Sequence, residues 1–200
     1  MDLNLFYPFI AQLVFLAACL HLLSPGAAKT SAVYSLLVLL SSLIILMLPI
    51  NGLPGFYYLR AYIGDLSITS TVFFGAYIIQ KGFGINIYQA AEAKYIQTLA
   101  VLMGLFLYPF ALGIGQLDPY RLGFHPQALT VALFVSAIYF WHKSYYFLLF
   151  FVTGVVLGYL LGLLESNNLW DYLLDAVLWL VCSVRMLFSG FKALPRKLRT

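Results

Sequence analysis

SLLVLLSSLIILML, residues 35–48, decides the fold class of this chain. It has no alternation of apolar and polar residues, so it cannot be a strand with one wet face or a strand of a membrane barrel. Similar blocks recur from end to end, each closed by polar or turn-forming residues: SPGAAKTS (24–31), NGLPG (51–55), KGFG (81–84) and LDPY (117–120). Of the 200 residues 63% are hydrophobic and 9% charged, against roughly 45–50% apolar usage in soluble domains. So much apolar surface in separate blocks exceeds what one core hides. A helix needs about 17–25 apolar residues to cross hydrocarbon, and only a helix pairs every backbone N–H and C=O within its own segment. The expected fold is all-α: a polytopic helical membrane protein.

Seven spans are expected, over 4–23, 31–50, 65–81, 96–115, 126–142, 145–164 and 171–190. Residues 1–190 would form a single bundle and 191–200 a basic cytoplasmic tail. The opening MDLNLFYPFIAQLVFLAACLHLL carries Asp2 where a secretory signal has Lys or Arg, so it reads as a retained span. The third block is the weak one: it is short, headed by Asp65, and six spans result if 65–81 is re-entrant.

Orientation follows from the basic residues. With seven spans and the N-terminus outside, Lys29, Lys81, Lys94, Lys143, Arg185, Lys192, Arg196, Lys197 and Arg199 face the cytoplasm. Only Arg60 and Arg121 remain outside. A six-span topology scores equally, because Lys29 and Arg60 merely exchange sides. The expected site is the bacterial inner membrane, with the C-terminus cytoplasmic and the N-terminus extracytoplasmic. Asp118, Glu165, Asp171 and Asp175 then share the outer face in either topology. Seven spans add Asp2 and Asp65 and leave Glu92 alone inside.

Three outer motifs concentrate the polar chemistry. LRAYIGDLSIT (59–69) places Arg60 and Asp65 at the mouth of the third block, where Asp65 suits a helix cap and the hydroxyls of Ser67, Thr69, Ser70 and Thr71 suit close packing. GQLDPYRLGFHPQ (115–127) brings together Asp118, Arg121 and His125: a turn held by an Asp118–Arg121 pair, or a site in which Arg121 grips phosphate and His125 moves a proton. ESNNLWDYLLD (165–175) carries Glu165, Asp171 and Asp175 without one basic residue. Ser166 or Asn168 can cap the helix that follows. The i, i+4 spacing of Asp171 and Asp175 predicts one shared helix face. Asp175 lies a turn inside apolar sequence, where ionisable groups are functional candidates. Arg60 or Arg121 is the expected partner for Glu165 and Asp175. Pro109 is a candidate break in the fourth span and Gly75 a loose point in the third.

Several chemistries find no support. The last block has no lysine for a retinal linkage. His21, His125 and His142 are not placed for haem, and no HExxH zinc motif or phosphate loop occurs. Cys19 and Cys182 read as small hydrophobes. Neither cofactor nor metal is expected. The leading expectation is a non-enzymatic envelope-assembly subunit whose outer mouth, built from Arg60, Asp65, Asp118, Arg121, His125, Glu165, Asp171 and Asp175, binds a membrane or periplasmic protein partner or a lipid or glycan head group. Nucleic acid is not an expected partner. The alternatives are an enzyme acting on a lipid-linked substrate, with His125 or Asp175 as general base, and a small carrier or flippase.

Overall fold

The computed structural model describes residues 3–23 and 31–193, with side chains over 5–23 and 31–189. Asp2, Lys29 and the tail from residue 194 lie outside the described residues. The chain is α-helical, and a main helix falls on each apolar block. These are α1 (Leu3–Leu23), α2 (Ala32–Met47), α4 (Ile68–Phe83), α5 (Ala90–Ala111), α6 (Gln127–His142), α7 (Tyr146–Leu160) and α9 (Ala176–Ala193). Two short helices, α3 (Gly55–Ile63) and α8 (Leu169–Leu173), precede α4 and α9. A two-residue hairpin pairs β1 (Pro49–Ile50) with β2 (Leu53–Pro54). Its turn is Asn51-Gly52 with φ of 49° and 85°, the mirror-image turn that Asn-Gly favours.

By length and composition α1 and α5 suffice to cross a membrane. The pair α3 and α4, bent by 117°, makes a third if taken as one span. The helices α2, α6, α7 and α9 are apolar but shorter. Pro109 does not break α5, which continues to Ala111, and α4 runs unbroken through Gly75.

The main helices run alternately between two ends. Near the start of α1, Tyr7 meets Leu66 and Thr71; at its far end His21 meets Ser35 of α2. Leu46, near the end of α2, is back beside Phe9 and Phe56. The helix α4 leaves that end at Ser67, and its last turn shares a cleft with Ser144 and Arg185 at the other. Arg60, Asp65, Glu165, Asp171 and Asp175 thus mark one end, and Lys81, Lys94, Lys143 and Arg185 mark the opposite one.

Packing joins α1 to α2 and α4, α4 to α7, α6 to α7 and α5 to α9. The core includes Phe73, Phe147, Phe151, Val155, Leu178 and Cys182. Gly104 lets α9 approach α5 closely, because a Cβ there would strike the Trp179 ring. Outward faces stay apolar: Leu36, Leu37, Leu40 and Ile44 on α2, and Phe134, Val135, Ile138 and Trp141 on α6, are all exposed.

At the basic end Glu92 ties two helices together. Its carboxylate accepts the N–H groups of Gln89 at 2.7 Å, Phe147 at 2.8 Å and Leu148 at 3.4 Å, so it caps its own α5 and the start of α7. The residue is 2% exposed. Backbone donors orphaned at two helix starts replace the water it has lost.

Candidate functional site

At the acidic end two interruptions of the chain face each other. The first separates α3 from α4: Gly64, at φ 78°, closes α3 in a conformation that glycine adopts without strain. Ser67 then caps α4, its side chain accepting the Ser70 N–H. Asp65, expected as that cap, instead holds Arg60. From α1, Tyr7 donates to the Leu66 carbonyl at 3.1 Å and Gln12 to the Gly64 carbonyl at 2.8 Å. A sharp bend in otherwise apolar sequence is supported by two polar side chains from a neighbouring helix.

The second interruption corrects the reading of ESNNLWDYLLD. Asp171 and Asp175 do not share a helix face, because Leu174 is extended (φ −145°, ψ 135°) and ends α8. Asp175 begins α9. One carboxylate oxygen accepts the Leu178 N–H at 2.8 Å, and the other accepts the Ser67 N–H at 2.8 Å and the Ser70 hydroxyl. Two helix N-termini, each equivalent to roughly half a positive charge, converge on one acid. Asp175 takes neither Arg60 nor Arg121 as its partner. Backbone dipoles and a serine supply the compensation.

Arg60 joins the other two acids of this end. Its guanidinium forks onto Asp65 at 2.5 and 2.7 Å and reaches Glu165 at 2.9 Å. The hydrogen bonds that Arg60 donates to Asp65, and secondarily to Glu165, push its pKa up despite partial burial, so it remains a cation. Asp171 accepts the Tyr120 hydroxyl at 2.8 and 2.9 Å, and the Ser166 hydroxyl. Burial, then the bond to Asp171 and its charge, pushes the Tyr120 phenol up. It stays a proton donor.

The 115–127 loop divides. A 3-10 turn, Pro119–Gly123, docks on α8: Trp170 Nε1 donates to the Pro119 carbonyl at 3.0 Å and Asn168 Nδ2 to that of Tyr120 at 3.0 Å. Gly123 is required by this contact, since a Cβ would run into Asn168 Oδ1. Asn168 also caps α8 through the Trp170 N–H, one of the two expected caps. Asp118, Arg121 and His125, however, are exposed and lie outside the hydrogen bonds that hold Asp65, Glu165, Asp171 and Asp175. The Asp118 carboxylate accepts the Arg121 backbone N–H at 3.2 Å, so the expected side-chain pair is replaced by a turn contact. Among the described residues the ion pairs are those of Arg60.

Between these elements lies a cavity of about 390 Å³. Asp65, Tyr108, Tyr120, Ser166, Asp171 and Asp175 supply its polar lining, and Leu107 and Leu174 are among its apolar wall residues. Five of the eight expected residues therefore gather here, three on the wall and, beside it, Arg60 bonded to Asp65 and Glu165 bonded to Arg60. Tyr108, Tyr120 and Ser166 join them. Neither tyrosine stands out in the sequence, where an aromatic at the edge of an apolar block reads as an interfacial residue. The wall carries three carboxylates, and Arg60, the cation bonded to one of them, is shared with Glu165. Such a cavity favours a positively charged or hydroxyl-rich group. Among the described residues no group of three or more His, Cys, Asp or Glu could hold a metal ion. Comparison with known proteins finds no family model that matches this chain, no similar curated protein and no similar solved structure.

Proposed function

We propose that this chain is a small multi-pass protein of the bacterial inner membrane that holds a lipid head group in its acid-lined cavity on the extracytoplasmic face, as a binding subunit in envelope assembly. The observation that carries this reading is the 390 Å³ cavity, with three carboxylates on its wall, at one end of an otherwise apolar bundle. Exposed leucines and aromatics on α2 and α6 suit lipid and would be costly in water. Lys81, Lys94, Lys143 and Arg185 at the far end fit a cytoplasmic side. Alternating main helices favour seven crossings over six, since α4 runs from end to end instead of turning back. The helix α7, at 15 residues, is about 22 Å long, so the bilayer thins around it or its ends rise into the interface.

The binding reading gains over the enzyme reading from what the acids already do. Asp171 and Asp175 are occupied by fixed donors, which hold their carboxylates in place on the wall as acceptors for a ligand's donor groups. His125, the other candidate base, lies outside the cavity. A head group ending in an ammonium fits the excess of carboxylates. Native mass spectrometry of the purified protein tests this with phosphatidylethanolamine and phosphatidylglycerol of identical chains. The amine lipid should be retained preferentially, and Asp171→Asn should abolish the preference. Equal retention of both lipids by the unaltered protein would overturn the reading.

A further inference from the structure

Below the polar cavity lies a second, apolar one. It occupies the space between α5 and α6, which follow each other in sequence but pack on different partners, α5 on α9 and α6 on α7. Its volume is about 120 Å³, and Ala100, Met103, Leu133, Phe140 and Leu174 are among its lining residues. Leu174 also lines the polar cavity, and Met103 stands one helical turn from Leu107 of that cavity on α5. Polar head space and apolar slot therefore adjoin across the extended residue that breaks α8 from α9. An engineered apolar cavity of about 150 Å³ takes up benzene, so the slot has room for a short stretch of hydrocarbon.

Two polar side chains line the slot, and one of them, Ser136, donates its hydroxyl to the Ala132 carbonyl within α6. Thr69 is 9% exposed, and its hydroxyl has no hydrogen-bond partner among the described residues. Two residues on, Thr71 bonds the Ser67 carbonyl one turn back, the usual recourse of a helical threonine. Thr69 lies in the first turn of α4, where no helical turn precedes it, and the nearby Leu66 carbonyl already receives Tyr7. Its neighbour Ser70 holds Asp175 on the wall of the polar cavity. Thr69 thus stands where head space gives way to slot, offering an O–H. In an ester-linked lipid, a carbonyl lies at that same junction between head and tail.

We infer that the slot receives an acyl chain of the lipid whose head occupies the acid-lined cavity, and that Thr69 donates its hydroxyl to that chain's ester carbonyl. This rests on the head-group reading above and adds the linkage and the tail to it. The pair of cavities selects a glycerol ester with an amine head over an ether lipid or an isoprenoid of the same head.

The test is competition between diester and diether phosphatidylethanolamine of equal chain length, with phosphatidylglycerol as reference, read by native mass spectrometry on the purified full chain. The diester should be retained about three- to tenfold over the diether, as one hydrogen bond contributes. Thr69→Val, which conserves shape, should bring the two to equality while both still exceed phosphatidylglycerol. Ala100→Phe, filling the slot, should lower both. Equal retention of diester and diether by the unaltered protein would overturn the ester inference and leave the head-group reading standing. Retention of neither above phosphatidylglycerol would overturn both.

Discussion

Glu92 and Asp175 perform the same task at opposite ends of the bundle, each joining two helix N-termini through one carboxylate. Glu92 caps α5 and α7; Asp175 caps α9 and reaches the first residues of α4. They differ in what lies beyond the cap. Glu92 borders the cleft at the basic end yet is only 2% exposed, its oxygens taken by backbone donors. Asp175 is half-buried, shares its second oxygen with a serine hydroxyl and forms part of a cavity wall. An acid enclosed by donors is a structural pin. The same pin left open on one side keeps a carboxylate fixed beside a space that a ligand can enter.

The largest effect should come from closing off the comparison at its structural pole. Glu92→Ala strands three backbone donors, each costing about 1–3 kcal/mol when buried, and should lower stability by about 3–5 kcal/mol, seen as a lower unfolding midpoint in detergent. Lipid retention per folded molecule should stay unchanged. Asp175→Asn should cost less, about 2–3 kcal/mol, because the amide keeps one acceptor for the converging N–H groups. It should also lose the preference for the amine lipid. If Asp175→Asn lowers stability and spares that preference, Asp175 is a pin like Glu92 and nothing more.

Gly123→Ala tests whether the 3-10 turn and α8 form one rigid wall. The added Cβ meets Asn168, and overpacking of this kind costs about 1–3 kcal/mol. Both stability and retention should fall, since Tyr120 and Asp171 are displaced together. His125→Gln is the smallest change. It should alter stability by no more than about 0.5 kcal/mol and leave retention intact, measured in the same two assays.

The helices were legible in the sequence because hydropathy acts locally: blocks such as 35–48 specify helix without help from elsewhere. The gathering of Arg60, Asp65, Glu165, Asp171 and Asp175 was legible too, through which end of each block carries which charge. The interruption at Leu174 was not. LWDYLLDAVLWL contains no Gly or Pro and reads as one helix, yet Ser67 and Ser70 from a distant segment hold Asp175 in place as the start of a new one. One local signal existed: an Asp immediately before the apolar run AVLW has the form of a helix cap. Asp118, Arg121 and His125 were grouped with the acids because a single loop carried them. The docking of Pro119 and Tyr120 on Trp170 and Asn168, a contact across about fifty residues of chain, turns those three outward instead.

Sidedness is the premise on which the head-group reading stands, and cysteine labelling in intact cells measures it directly. On a background lacking Cys19 and Cys182, single cysteines at Tyr62 and Asn167 report the acidic end, and one at Asn86 reports the basic end. An impermeant thiol reagent should label Tyr62→Cys and Asn167→Cys and spare Asn86→Cys until the membrane is opened. Labelling of Asn86→Cys alone would place the acid-lined cavity in the cytoplasm and contradict the assignment.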